Sequence, residues 1–201
     1  TLSTRDLIPA YANNYHNGVL QADAVIERIF RLLREKKLLD DAIVVITADH
    51  GELLGEYGRL GHARFPPVGP LVGIPLLIYD SDGYRYPARP VASQVDIAPT
   101  LLHRIGAPVP ASWGGEPLDL PPQREFTYLQ SGDSYAVVSA EGKLLHKYYY
   151  DKGTRTERLF DLARDSAERD DLFSRAEPAL LARMRAALRA AHGEISFAVQ
   201  P

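Results

Sequence analysis

From Ile8 to Leu33 the apolar positions Ile8, Tyr11, Tyr15, Val19, Ala22, Ile26, Ile29 and Leu33 recur every three or four residues. That period lines one face of an α-helix. Glu27, Arg28, Arg31, Arg34 and Glu35 lie largely off the stripe, and Lys36 and Lys37 suit a last turn, where cations meet the negative end of the helix dipole. Gly18 costs up to ~1 kcal/mol in a helix interior, which allows a break there. The pattern then changes. Ala42 to Thr47 is a β-branched run without alternation, and Ile74 to Tyr79 repeats it, with Pro75 pushing it toward an edge or limiting its start. Strands apolar on both faces belong inside a sheet covered by helices, so the succession predicts an α/β fold with a mainly parallel sheet flanked by helices. Residues 49–73 between them are rich in glycine and proline and read as a long loop, a kind of segment that is usually functional.

Gln94 to Ile105 reads as a short helix, with Ser93 or Asp96 as cap, Pro99 in the first turn and Gly106 at its end. Residues 107–124 are Pro-rich and read as an ordered surface connection. From Glu125 onward the spacing shortens. Phe126–Gln130, Tyr135–Ser139, Lys143–Tyr150 and Arg158–Leu162 read as strands, with turns at 131–133 and 140–142. A last helix over Pro178–His192 sets Leu180, Leu181, Met184, Ala187, Leu188 and Ala191 on one face. This predicts a small C-terminal antiparallel sheet plus helix.

Composition narrows the function. The chain has 201 residues, 45% hydrophobic and 24% charged, enough for one domain with a small appendage. Lys and Arg total 23 against 26 Asp and Glu, a net charge of −3, so no basic field draws nucleic acid. The absence of cysteine excludes disulfides, thiolate metal sites and a cysteine nucleophile in this stretch, and leaves the compartment open. No apolar run approaches the ~20 residues of a membrane helix. A start at Thr1-Leu2-Ser3, without Met, reads as a processed or excised chain.

The sharpest chemical feature is Thr47-Ala48-Asp49-His50-Gly51-Glu52 at the carboxyl end of a strand, where α/β sheets place their ligands. Gly51 frees the backbone to turn, so that neighbouring carboxylate and imidazole can converge on one ion. That pair suits Zn or Mn, and an oxygen-richer set suits Ca or Mg. The plainer alternative is that Asp49 caps the loop and His50 packs on the sheet. Glu52 reads as a supporting or capping residue, Arg64 as an anion contact or a solvated loop arginine, and His16 and His103 as structural or exposed. Tyr148-Tyr149-Tyr150 reads as alternately packed and exposed, and the Arg-rich last helix as a solvated face.

The loop Asp49-His50-Gly51-Glu52-Leu53-Leu54-Gly55-Glu56-Tyr57-Gly58 followed by Gly61-His62 resembles the sulfatase branch of the alkaline phosphatase superfamily. The likeness continues in order through Ile74–Tyr79, Val95–Leu102 and Arg158–Leu162 with Asp165–Leu172. It implies an alkaline phosphatase-like fold, with 1–124 as the C-terminal part of the α/β domain, carrying the 49–64 loop, and 125–201 as a small subdomain. By resemblance, Asp49 and His50 are metal ligands for one divalent ion (Ca, Mg, Mn or Zn). His62 is the catalytic and substrate-binding histidine at the sulfate or phosphate group, with Arg64 beside it. The family's nucleophile, a formylglycine from Cys or Ser in S-x-P-x-R, has no match here, and neither does its early acidic pair. The expectation is a fragment of a metal-dependent hydrolase of small-molecule, glycan or lipid sulfate or phosphate esters, inactive alone and open to self-association. Alternatives are an envelope phosphoethanolamine or phosphoglycerol transferase, or a non-catalytic domain. The parent would be periplasmic, membrane-anchored or secreted.

Overall fold

The computed structural model describes residues 4–62, 65–141 and 143–192, in two compact units. One holds residues up to 62 together with Pro70–Arg85, and the other residues 65–69 together with Tyr86 onward. The Pro-rich connection, expected from the sequence on the N-terminal side of a boundary at 124, groups with the C-terminal sheet.

In the first unit α1 spans Thr4–Glu35 without interruption. Gly18 does not break it. The helix stops in a Schellman motif: Leu38 N–H donates to Leu33 O at 2.9 Å and Lys37 N–H to Arg34 O at 3.0 Å, with Lys37 left-handed at φ 55°. The chain turns back into β1 (Ile43–Thr47). After β2 (Leu53–Leu54), β3 (Leu60–Gly61) and the short helix α2 (Gly69–Val72) it reaches β4 (Leu76–Asp80). Phe30 on α1 meets Tyr79 on β4 edge to face, centroids 5.7 Å apart, an arrangement aromatic quadrupoles favour. Val19, Leu20, Val25, Ile29 and Leu32 remain about half exposed or more along α1. Among the described residues no helix is long and apolar enough to cross a membrane.

The pairing direction corrects the expectation of a mainly parallel sheet. β1 and β4 pair antiparallel, Ile43 opposite Asp80 and Thr47 opposite Leu76, and every other ladder among the described residues is antiparallel too. A parallel return needs a crossover, usually a helix. The segment from β1 to β4 contains only the four-residue α2. The predicted burial on both faces does not hold either, because a two-stranded ladder is all edge: Ile43–Ile46 are half-buried, and β4 alternates with Leu77 and Tyr79 exposed.

The second unit carries α3 (Ile97–Arg104) and the meander β5 (Phe126–Ser131), β6 (Ser134–Glu141), β7 (Leu144–Asp151) and β8 (Thr156–Asp161), paired in chain order, with α4 (Pro178–His192) against it. Val137, Tyr148, Tyr150, Leu159, Met184, Ala187 and Leu188 form its core. Tyr149 points to the other face, as period two requires, and meets Ser134 Oγ at 3.1 Å. The buried Tyr148 hydroxyl donates to Glu157, which Arg185 also grips at 2.6 and 2.9 Å. The α/β class, the short antiparallel sheet and its helix are as expected from the sequence.

Buried carboxylates hold the irregular segments of this unit. Lys147, 1% exposed, donates to both oxygens of Glu168 at 2.8 and 2.9 Å and to Pro67 O, and Gly69 N–H donates to the same Glu168 at 2.8 Å. Asp96 is fully buried and accepts four hydrogen bonds: from Ser93 N–H (2.8 Å), Glu116 N–H (3.0 Å) and both terminal nitrogens of Arg124 (2.8 Å each). Burial alone would raise its carboxyl pKa, but the bonds from Arg124, Glu116 and Ser93 outweigh it and hold it below the usual value. Removing one partner of a buried ion pair costs ~3–5 kcal/mol. Asp96→Ala should lower stability by about that much in urea unfolding followed through Trp113, the single tryptophan. Because the folded pKa is depressed, Asp96's contribution is complete above the ordinary carboxyl value of about 3.9 and is lost as pH falls through the lower folded one. The variant's deficit should therefore shrink in acid.

Candidate functional site

β1 delivers its last residue to a turn closed by glycine. Thr47 Oγ1 donates to Pro75 O at 2.9 Å, and Gly51 N–H donates to Leu71 O at 2.8 Å. A Cβ on Gly51 would lie 2.0 Å from Pro70 O, so only glycine fits this approach. Asp49 Oδ1 accepts the N–H of His50 at 2.9 Å. That bond, followed by the charge of His50, holds its exposed carboxyl below the usual range. His50 Nδ1 lies 2.8 Å from Gly51 O. A carbonyl only accepts, so Nδ1 carries hydrogen and Nε2 presents its lone pair. Nε2 sits 3.7 Å from Asp49 Oδ2.

The second half of the site is a two-rung hairpin. Leu53 pairs with Gly61 and Leu54 with Leu60, so Glu52 and His62 face each other one step beyond the ladder. Their side chains meet, Glu52 Oε2 to His62 Nδ1 at 2.8 Å. Tyr11 on α1 donates its hydroxyl to Glu52 Oε1 at 2.5 Å. Burial pushes the Glu52 carboxyl up, but the bonds from Tyr11 and His62 and the nearby imidazoles prevail and hold it low; the same contact with Glu52 raises the Tyr11 hydroxyl. The loop returns through residues with positive φ, Gly55 (128°), Tyr57 (55°), Gly58 (66°) and Gly61 (87°).

The rings of His50 and His62 come within 4.1 Å, centroid to centroid. His50, Glu52 and His62 each offer a ligand atom, all within 4.8 Å of one another. Two imidazoles and a carboxylate fit a borderline divalent ion such as Zn or Mn, and Asp49 adjoins them through His50. Of the residues read from the sequence, the structure thus brings His50 and His62 together, leaves the Asp49 side chain at the solvent edge, and draws Glu52 into the group. Arg64 lies outside the described residues. His103 pairs with Asp119 at 2.6 Å in the other unit, and His16 sits on an exposed face of α1 beside Tyr15. Tyr11 occupies an apolar position of the α1 stripe, and nothing in the spacing distinguishes its hydroxyl.

The family model described as Sulfatase matches residues 3–107, half of the chain. The chain belongs to the sulfatase family. Arylsulfatase K of Canis lupus familiaris is 34% identical over 103 residues, covering 50% of this chain and 19% of that protein. N-acetylglucosamine-6-O-sulfatase of Bacteroides thetaiotaomicron is 28% identical over 193 residues, 83% of this chain and 33% of that protein. A solved structure of a 2-O GAG sulfatase superposes with a TM-score of 0.50 at 20% identity over 76% of this chain and 35% of that one, a likeness of fold. The chain spans 8 to 33% of the length of the curated relatives it matches. The fold is alkaline phosphatase-like, as the motifs implied.

Within this sulfatase loop the closest backbone approach is at Gly51, and it yields a prediction. Gly51→Ala should force Pro70 and the turn apart. Overpacking of this kind costs ~1–3 kcal/mol, and the variant should show that loss in thermal unfolding together with altered ring resonances of His50.

Proposed function

We propose that these residues form the metal- and substrate-binding loop of a hydrolase of glycan sulfate esters. The observation that carries the reading is the convergence of His50, Glu52 and His62 beside Asp49, at the end of β1, in a sulfatase-family chain. The name of one relative, an N-acetylglucosamine-6-O-sulfatase, supports glycan esters as the substrate class. Asp49 and His50 would hold the divalent ion, whose chemistry when bound is to polarise the ester and stabilise charge on its oxygens. His62, at the open end of the hairpin, binds the sulfate group or hands a proton to the leaving oxygen, and Arg64 adds a second anion contact. Covalent turnover requires an activated nucleophile. The 201 residues contain no cysteine and no serine in the S-x-P-x-R pattern, so this chain alone binds without turning over.

The test uses the purified chain with aryl sulfate and aryl phosphate and a screen of Ca, Mg, Mn and Zn. No turnover is expected. An ion at a hundred times its Kd should stabilise the fold by ~2.7 kcal/mol, roughly 5–10 °C in melting temperature. Asp49→Ala and His50→Ala should abolish that shift. In a longer protein that contains these residues, His62→Ala should lower kcat for aryl sulfate by ~10²–10³, the cost of losing one donor to a developing oxyanion. Turnover by the isolated chain that disappears in His50→Ala would overturn the reading, and phosphate turnover in place of sulfate would move the substrate class.

A further inference from the structure

We propose that Tyr11 and Glu52 are positioning residues that lock His62 in its Nδ1–H tautomer and aim Nε2 outward at the ester oxygen. The inference rests on the reading of His62 as the sulfate-facing histidine and adds how its ring is held.

Three observations support it, all within the first unit. Register comes first: the Leu53–Gly61 rung makes Glu52 and His62 opposite neighbours, so their meeting is imposed by the ladder rather than by a chance rotamer. Chemistry comes second. An ionised carboxylate has no proton to give, so at 2.8 Å it is His62 Nδ1 that donates to Glu52 Oε2. The neutral ring then carries no hydrogen on Nε2, which is free to take up a proton on its outward side. Protonated, the ring donates from the same nitrogen to an anionic oxygen. Anchoring comes third. Glu52 is not a loose side chain: only 13% of it is exposed against 53% of His62, and Tyr11 holds its other oxygen from α1, 41 residues earlier.

Gly61 completes the pocket around this chain of bonds. A Cβ built there would stand 3.6 Å from Glu52 Oε1 and 4.0 Å from the Tyr11 hydroxyl, and its φ of +87° is one that side chains rarely adopt. The hairpin therefore passes close over the Tyr11–Glu52 bond at a residue with no side chain. A carboxylate behind an imidazole that faces a ligand is a recurrent means of fixing the ring's tautomer and orientation. Here a helix tyrosine fixes the carboxylate in turn.

The experiment is two-bond 1H–15N correlation of the histidine rings in the intact chain, with chelator present, at about pH 8, above the ordinary histidine pKa. His62 should show a protonated Nδ1 and a bare Nε2. Glu52→Gln offers Nδ1 an amide hydrogen in place of a carboxylate, and His62 should move to the Nε2–H form. Tyr11→Phe keeps the carboxylate but frees its second oxygen, and the Nε2–H form should appear beside the original one. His50, held by Gly51 O, should keep its tautomer in both variants. Melting curves by circular dichroism report folding, and should Glu52→Gln fail to fold, Tyr11→Phe carries the test. An Nε2–H tautomer for His62 in the wild-type chain, or one unmoved by either variant, would overturn the proposal. Failure of the sulfatase reading would look different: the tautomers would respond as stated, while a longer protein containing the loop would not cleave aryl sulfate.

Discussion

Backbone N–H groups outside helices and ladders must find an acceptor or pay the cost of burial unpaired, and much of this chain lies outside both. A recurrent solution in the second unit is the carboxylate. Asp96 takes the N–H groups of Ser93 and Glu116, Glu116 those of Gln123 and Arg124, Glu168 that of Gly69, Asp165 those of Arg169 and Asp170, and Asp171 those of Leu159 and Phe173. Several of these acids are also gripped by a cation, Asp96 by Arg124, Glu116 by Arg89 and Glu168 by Lys147. An ionised oxygen accepts several bonds and makes each of them stronger. Irregular segments thereby acquire definite shapes without a ladder of their own.

The candidate site uses the same device with a different outcome. Glu52 accepts no backbone N–H in its two strong bonds; it joins a helix hydroxyl to a ligand-facing ring. The hairpin that presents Glu52 and His62 has only two rungs, too few to be stable by itself. Its geometry depends on neighbours, on Ile8 packed 3.0 Å from where a Cβ of Gly55 would stand, and on Tyr11 one helical turn further along. The loop with chemistry and the helix with none are one structural object.

What was legible in the sequence follows from periodicity. α1, the four strands of the meander and α4 could be read because each repeats its period over enough residues, and the family motifs located the loop. Pairing direction could not be read, since an unalternating strand such as Ile43–Thr47 is compatible with either orientation and only the connection decides. The end of α1 was legible from the lysines of its last turn to within two residues, but the motif that makes the stop was not. Lysine at the left-handed position gives none of the signal that glycine would. Asp96 read as a helix cap and does form a capping box with Ser93, but its burial and its grip on Arg124 depend on a segment 28 residues away. Glu52 was visible as an acid beside the motif, but its partner Tyr11 lay inside an apolar stripe.

The Lys147–Glu168 pair also has a kinetic meaning. The meander β5–β8 closes through hairpins between neighbours in the chain, and such local contacts form quickly. The bonds that fix residues 67 and 69 join positions 80 and 99 apart in sequence, and their partners exist only once β7 and the loop after β8 are in place. Closing so long a loop is entropically slow. Loop-closure entropy therefore leads us to expect the 65–69 segment to take shape after the meander, against a sheet already formed.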